Sequence, residues 1–199
     1  MARPPLRLAR YLTADGARPG LLDDHAQLRD LSYVLIDIRP EHLGPDDLDI
    51  LRSIEPETLP IVQGAPRLGP PLANIGRVFV EGAPADDLAI DGPYPVQTPS
   101  LRFGLALAIG APRWSGARML AAYDAPGRRL WLGPWIAAPE RPAKTPGLDL
   151  AAAMDAAGDA AAGDIALVLQ GPDAHATHFA IAPYGEQHCA PRPDGRPCD

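Results

Sequence analysis

No stretch of the 199-residue chain holds the roughly 18 consecutive apolar residues that span a bilayer, and its opening, MARPPLRLARYL, lacks the apolar centre of a secretory signal. The expectation is a cytoplasmic protein with no membrane partner. Basic residues are outnumbered, 18 against 25 acidic, for a formal net charge of −7. The arginines stand singly or in pairs such as Arg128 and Arg129 rather than in a stripe, so nucleic-acid binding is not expected. Cysteine is nearly absent. Cys189 and Cys198 both fall in a tail rich in proline, glycine, arginine and aspartate, where free thiols are the plainer reading and a disulfide the other. His188 beside Cys189 leaves too few ligands for a structural zinc. Also missing are a Ser-His-Asp order, a glycine-rich phosphate loop and an HExxH pattern.

What the chain has in excess is proline and glycine, 25 and 19 residues, which cut it into short elements and argue against a helical bundle. Residues 6–11, 18–22 and 29–32, separated by turn signals at ADG (14–16) and DDH (23–25), read as a meander of strands. YVLIDI at 33–38 is a β-branched apolar run, predicted as a strand with a helix as the alternative. After Gly44-Pro45, acids at 46 and 47 and apolar residues at 48, 50, 51 and 54 predict a short helix. Further strands are expected at 77–80, 101–109, 119–123, 130–136 and 165–170, and a second helix at 148–162, where more than half the residues are alanine. The proline-rich APRLGPP at 65–71 marks a boundary between a small N-terminal β lobe, residues 1–70, and a larger β-rich unit, residues 71–185, with 186–199 as a flexible tail.

RYLTADGARPGLLDDHAQLRDLS, followed by LDILRSIEPETLPIV and APRLGPPLANIGRVFV, resembles the small domain of the fumarylacetoacetate hydrolase family and its entry into the catalytic domain. LWLGPWIAA and AGDIALVLQG resemble two later strands of that family. The resemblance implies a mixed, β-rich α+β fold: the small lobe followed by a reduced β-sandwich or roll. It also implies a site of acidic residues holding Mg²⁺ or Mn²⁺, and a dimer formed through the catalytic domain.

The positions that the resemblance assigns to that site are altered. Leu88 stands where the family's GxNYxxHxxE segment has histidine, and a later contact stretch is shortened to DGPYPVQTPS. Anchored on Gly110, LRFGLALAIG puts Arg102 and Gly104 at the two positions of an E-x-E pair. Alternate residues of a strand share a face, so two carboxylates there grip one hard cation, and arginine and glycine do not. Asp124 alone falls on a third liganding carboxylate, although an aspartate ahead of Pro126-Gly127 is also a good turn residue.

The expected cofactor is therefore none, with Mg²⁺ or Mn²⁺ kept only for a residual metal-dependent hydrolase or lyase of 2-oxo acids. Arg102, on an otherwise apolar strand, must reach solvent, an acidic partner or an anionic ligand. In the last case it replaces the metal as the cation facing a carboxylate or enolate. Arg102 and Asp124 are the candidate catalytic pair, and Tyr123, Arg128 and Arg129 the candidate substrate contacts. Trp114, Trp131 and Trp135 read as core or rim aromatics, and His175 and His178 as surface side chains. The reading is a divergent family member that binds or converts an acidic or polyketone-like molecule without metal; the rival is a non-catalytic subunit of a homodimer or of a heterodimer with an active paralogue.

Overall fold

The computed structural model describes residues 5–92, 101–110, 116–138 and 150–169. Among them the chain begins with the predicted meander: β1 (Leu6–Thr13), β2 (Gly16–Leu22) and β3 (Leu28–Asp30) pair antiparallel in sequence order. The turn between β2 and β3 is tied by Asp23, whose Oδ1 accepts the backbone N–H of His25 at 2.9 Å and of Gln27 at 2.8 Å. Its Oδ2 accepts Arg29 Nε at 2.9 Å. Burial pushes this carboxyl's pKa up, but the backbone donors and the guanidinium outweigh it and hold it below the usual range.

The predicted first helix is α1 (Pro45–Ser53), with Pro45 at its start, Asp46 and Asp47 in its first turn, and Leu48 and Leu51 turned inward. The second is α2 (Leu150–Ala156), shorter than the alanine run because the chain passes into a turn around Gly158. The strand expected at 33–38 does not form. Leu31 O accepts the N–H groups of both Val34 and Leu35, closing a turn directly after β3, and no neighbouring strand offers the run a ladder. The segment is instead pinned by Asp37, held by Arg10 at 2.7 and 3.0 Å, and by the fully buried Ile38. Tyr33 and Ile36 are left in solvent.

The other strands are β4 (Val78–Val80), β5 (Ala83–Ala85), β6 (Ala89–Asp91), β7 (Leu101–Ala108), β8 (Arg118–Asp124), β9 (Arg129–Leu132), β10 (Ile136–Ala138) and β11 (Ile165–Leu169). They form one mixed sheet in the order β3-β2-β1-β10-β8-β7-β11-β4-β5, with β9 also beside β8 and β6 beside β9. Pro84 sits in β5, at the end of that order, where its missing N–H costs no ladder bond. The sheet crosses the proline-rich connection: β1 pairs with β10, Leu6 opposite Ala138 and Leu8 opposite Ile136. The main core likewise joins Leu8 and Leu21 to α1 and to Ala106, Leu132 and Ile165 of the later strands. A second cluster on the opposite face packs Leu105, Leu107, Phe79 and Ala166 against Ala153, Met154 and Ala157 in and just after α2. The expected β-rich mixed fold is what the chain adopts.

Candidate functional site

β7 and β8 carry most of the candidate residues, and their register fixes which of them meet. Residues opposite one another in a strand pair share a face, and neighbours along a strand alternate. Arg102 lies opposite Tyr123, and Gly104 opposite Ala121. This is the face of the main core, to which Ala106, Ala108 and Ala121 belong and against which Tyr123 packs. Asp124 lies opposite Leu101 on one side and Arg129 on the other, on the face that turns toward α2. The register therefore brings Arg102 and Tyr123 together and directs Asp124 and Arg129 the other way.

Arg102 is not directed into bulk solvent alone. Its Nη2 donates to Glu81 Oε1 at 2.6 Å, while its Nε is buried and has no hydrogen-bond partner among the described residues. Gly104 is the last β7 residue paired with β11, opposite Leu169, so the guanidinium reaches past the described end of β11 to the residue after β4. Hydrogen bonding to Glu81 raises the Arg102 pKa against the opposing effect of burial, and the Glu81 and Tyr123 charges act in the same direction. The same contact holds the Glu81 carboxyl below its usual range. Glu81 escaped the sequence reading. The available signal was a two-residue connection, Glu81-Gly82, between two short strands in which glutamate replaces the usual asparagine, aspartate or glycine.

Gly104 is closed off by main chain. A Cβ built there would lie 2.0 Å from Val168 O and 2.8 Å from Leu169 Cα, both belonging to β11. No side chain enters that space unless β11 moves. Leu88, at the position assigned to histidine, is a partly buried apolar residue packed against the main core.

Asp124 ends β8 where the chain turns through residues 125–128. Its Oδ1 is buried without a hydrogen-bond partner among the described residues, and a Cβ at Gly127 would fall 2.3 Å from its Oδ2. Glycine is what lets the turn close over this carboxylate. Arg128, with φ at 49°, leaves the turn toward Asp86 O at 2.5 Å and Asp87 Oδ2 at 3.4 Å and is largely exposed, as is Arg129. Trp131 is buried, and Trp135 packs against the small cluster around Tyr11 and Leu68. Trp114, His175, His178, His188, Cys189 and Cys198 lie outside the described residues.

Another conspicuous acid, Asp164, is structural. Its Oδ1 accepts Arg77 N at 2.8 Å; its Oδ2 accepts Ala161 N at 2.9 Å and Arg77 Nη2 at 2.8 Å. It thereby clamps the start of β11 to the start of β4, where the two strands run parallel. Among the described residues no helix is long and apolar enough to cross a membrane.

No family model matches the chain. Over 99 residues, half of the chain, it is 34% identical to a Burkholderia ambifaria protein named "Putative hydrolase". Over the same length it is 35% identical to one of that description from Burkholderia cenocepacia. Each match takes in 35% of the relative's length, so the likeness spans about a third of those proteins. Among solved structures, the fumarylacetoacetate hydrolase of the psychrophilic Exiguobacterium antarcticum superimposes with a TM-score of 0.55 over 83% of this chain and 87% of that one, at 14% identity. A likeness at that identity is one of architecture, and architecture is what the N-terminal residues predicted: the chain has the fold of a fumarylacetoacetate hydrolase.

Proposed function

We propose that the chain is a divergent member of the fumarylacetoacetate hydrolase family that holds a small acid, of the 2-oxo acid or polyketone class, on Arg102 instead of on a metal ion. The observation that carries this reading is the pair of positions 102 and 104. One bears a guanidinium on the same strand face as Tyr123, with its Nε unpartnered among the described residues; the other is filled by the β11 main chain. The residues there do not fit Mg²⁺ or Mn²⁺. A guanidinium repels a divalent ion, Gly104 supplies no side-chain oxygen and has no room for one, and Asp124 lies on the other face of the sheet.

A guanidinium offers paired donors to a carboxylate or to the oxygen of an enolate. Chemistry suited to it is tautomerisation, cyclisation or dehydration of an activated oxo acid, with the Tyr123 phenol as the adjacent group able to exchange a proton. The test is a thermal-shift screen of 2-oxo acids, β-diketones and acylpyruvates against wild type and Arg102→Ala. Stabilisation of wild type by carboxylate-bearing compounds, lost in the variant, supports the proposal. Equal stabilisation of both proteins sinks it.

A second reading, a subunit that pairs with another copy or with an active paralogue, is favoured by one observation. Tyr33 and Ile36 are 86% and 92% exposed in the turn that replaces the expected strand, with Val34 partly exposed between them. Light scattering at low micromolar concentration distinguishes the two readings: a strict monomer removes the homodimer form of this one.

A further inference from the structure

We infer that Glu81 is a built-in competitor for the acid that Arg102 holds, its carboxylate occupying the guanidinium until an incoming carboxylate displaces it. The inference rests on the reading of Arg102 given above. It stands on three features of geometry.

The first is the single contact. Glu81 Oε1 takes only Nη2, at 2.6 Å, and leaves the buried Nε of Arg102 without a partner among the described residues, although a carboxylate and a guanidinium are built for two parallel bonds. A free acid has no turn to constrain it, and once Glu81 swings away it can take Nη2 and, with a turn of the Arg102 side chain that uncovers Nε, span both donors together. Glu81 thus makes one bond to the cation where a mobile carboxylate can make two.

The second is the backbone. Residues 81–82 form a two-residue connection between β4 and β5, with φ of 51° at Glu81 and 87° at Gly82. Positive φ at both positions is the pattern of a turn that favours Asn-Gly, and a longer side chain in the left-handed region is held there at a cost. A glutamate in that place is unexplained by the turn and is explained by the contact its side chain makes.

The third is accessibility. The Glu81 side chain is 55% exposed and that of Arg102 33%. An ion pair so open contributes little to folding, so breaking it costs little.

The experiment is a calorimetric titration of acetopyruvate, which carries a carboxylate and a β-diketone, into wild type, Glu81→Gln, Glu81→Asn, Arg102→Ala and the Glu81→Gln/Arg102→Ala double variant. Acetylacetone, which lacks the carboxylate, is titrated in parallel. Glu81→Asn installs the residue the turn prefers and guards against a folding defect in the glutamine variant. Both Glu81 variants are expected to bind acetopyruvate about fivefold more tightly than wild type, the upper end for release of a half-exposed ion pair. Both are expected to bind acetylacetone unchanged. In the Arg102→Ala background the Glu81 substitution is expected to have no effect. Glu81 variants no tighter than wild type, with Arg102→Ala still weakened, overturn the competitor role and leave Arg102 as the seat. Wild-type affinity in Arg102→Ala, or no binding by any of the proteins, overturns the Arg102 reading and this inference with it.

Discussion

Arg102 and Asp124 sit on neighbouring strands only one residue out of register, yet they project from opposite faces of the sheet. Arg102 is paired across the strands with Tyr123, and Asp124 with Leu101 and Arg129. A one-residue offset in a strand is a change of face, and here it separates the guanidinium of Arg102 from the carboxylate of Asp124.

Substitutions at the two positions should therefore act independently. Arg102→Ala is expected to weaken binding of a carboxylate ligand by about 1.5–3 kcal/mol, the range for a hydrogen bond to a charged group. Asp124→Asn is expected to leave that binding unchanged, and the double variant to behave as Arg102→Ala. Titration calorimetry on the three proteins checks it; coupling between the two sites would mean that they share a ligand after all.

Carboxylates placed at positions 102 and 104 should not create a metal site. Gly104→Ala already drives a Cβ against Val168 O and is expected to destabilise the fold by about 3 kcal/mol, the upper end of the range for overpacking. Arg102→Glu/Gly104→Glu should be less stable still and bind Mn²⁺ no better than wild type. Urea unfolding and Mn²⁺ titration of the purified variants give both answers.

The Asp23 carboxyl has a folded-state pKa held below its usual value by the Gln27 and His25 N–H groups and by Arg29, against the opposing effect of burial. A depressed folded pKa means stability that is fully present above the unfolded value, about 4 for aspartate, and lost as pH falls through the folded value. The pair with Arg29 is nearly dry, with side-chain exposures of 10% and 1%. Asp23→Asn is expected to cost about 3–5 kcal/mol at pH 7, as for a broken buried pair, and to flatten the acid limb of a stability-versus-pH curve. Urea midpoints between pH 7 and pH 2.5 measure both effects.

The β1–β10 ladder and the shared core predict that the chain unfolds as one unit. Leu8→Ala, at the seam opposite Ile136, should cost about 2–5 kcal/mol and lower a single transition. Tryptophan fluorescence, to which Trp131 and Trp135 contribute, should report the same midpoint as far-ultraviolet circular dichroism. Two separated transitions would show that residues before and after the proline-rich connection fold independently.

Much of the fold was legible because its signals are local. The turn chemistry of Asp23, the proline and acids that open α1, and the apolar runs of β7 and β11 each announce an element within a few residues. YVLIDI misled because its β-branched run promises a strand only where a neighbour supplies a ladder, and Leu31 closes a turn first. The site was less legible. Substitutions at 102 and 104 can be read from the sequence, but the β11 carbonyl over Gly104 and the arrival of Glu81 at Arg102 depend on contacts 64 and 21 residues apart. Nor does a motif position reveal its role: Asp164, just ahead of β11, serves as a clamp for Arg77.

The proposal that most needs testing is that the Arg102 guanidinium seats the acid with no metal ion taking part. It is tested most directly by titrating acetopyruvate into metal-stripped wild-type protein with and without added Mg²⁺, and into Arg102→Ala under the same conditions. The account predicts binding by wild type that Mg²⁺ leaves unchanged and that falls at least tenfold in Arg102→Ala, the lower end expected for losing a hydrogen bond to a charged group. Binding that appears only when Mg²⁺ is added, and that survives in Arg102→Ala, would contradict it.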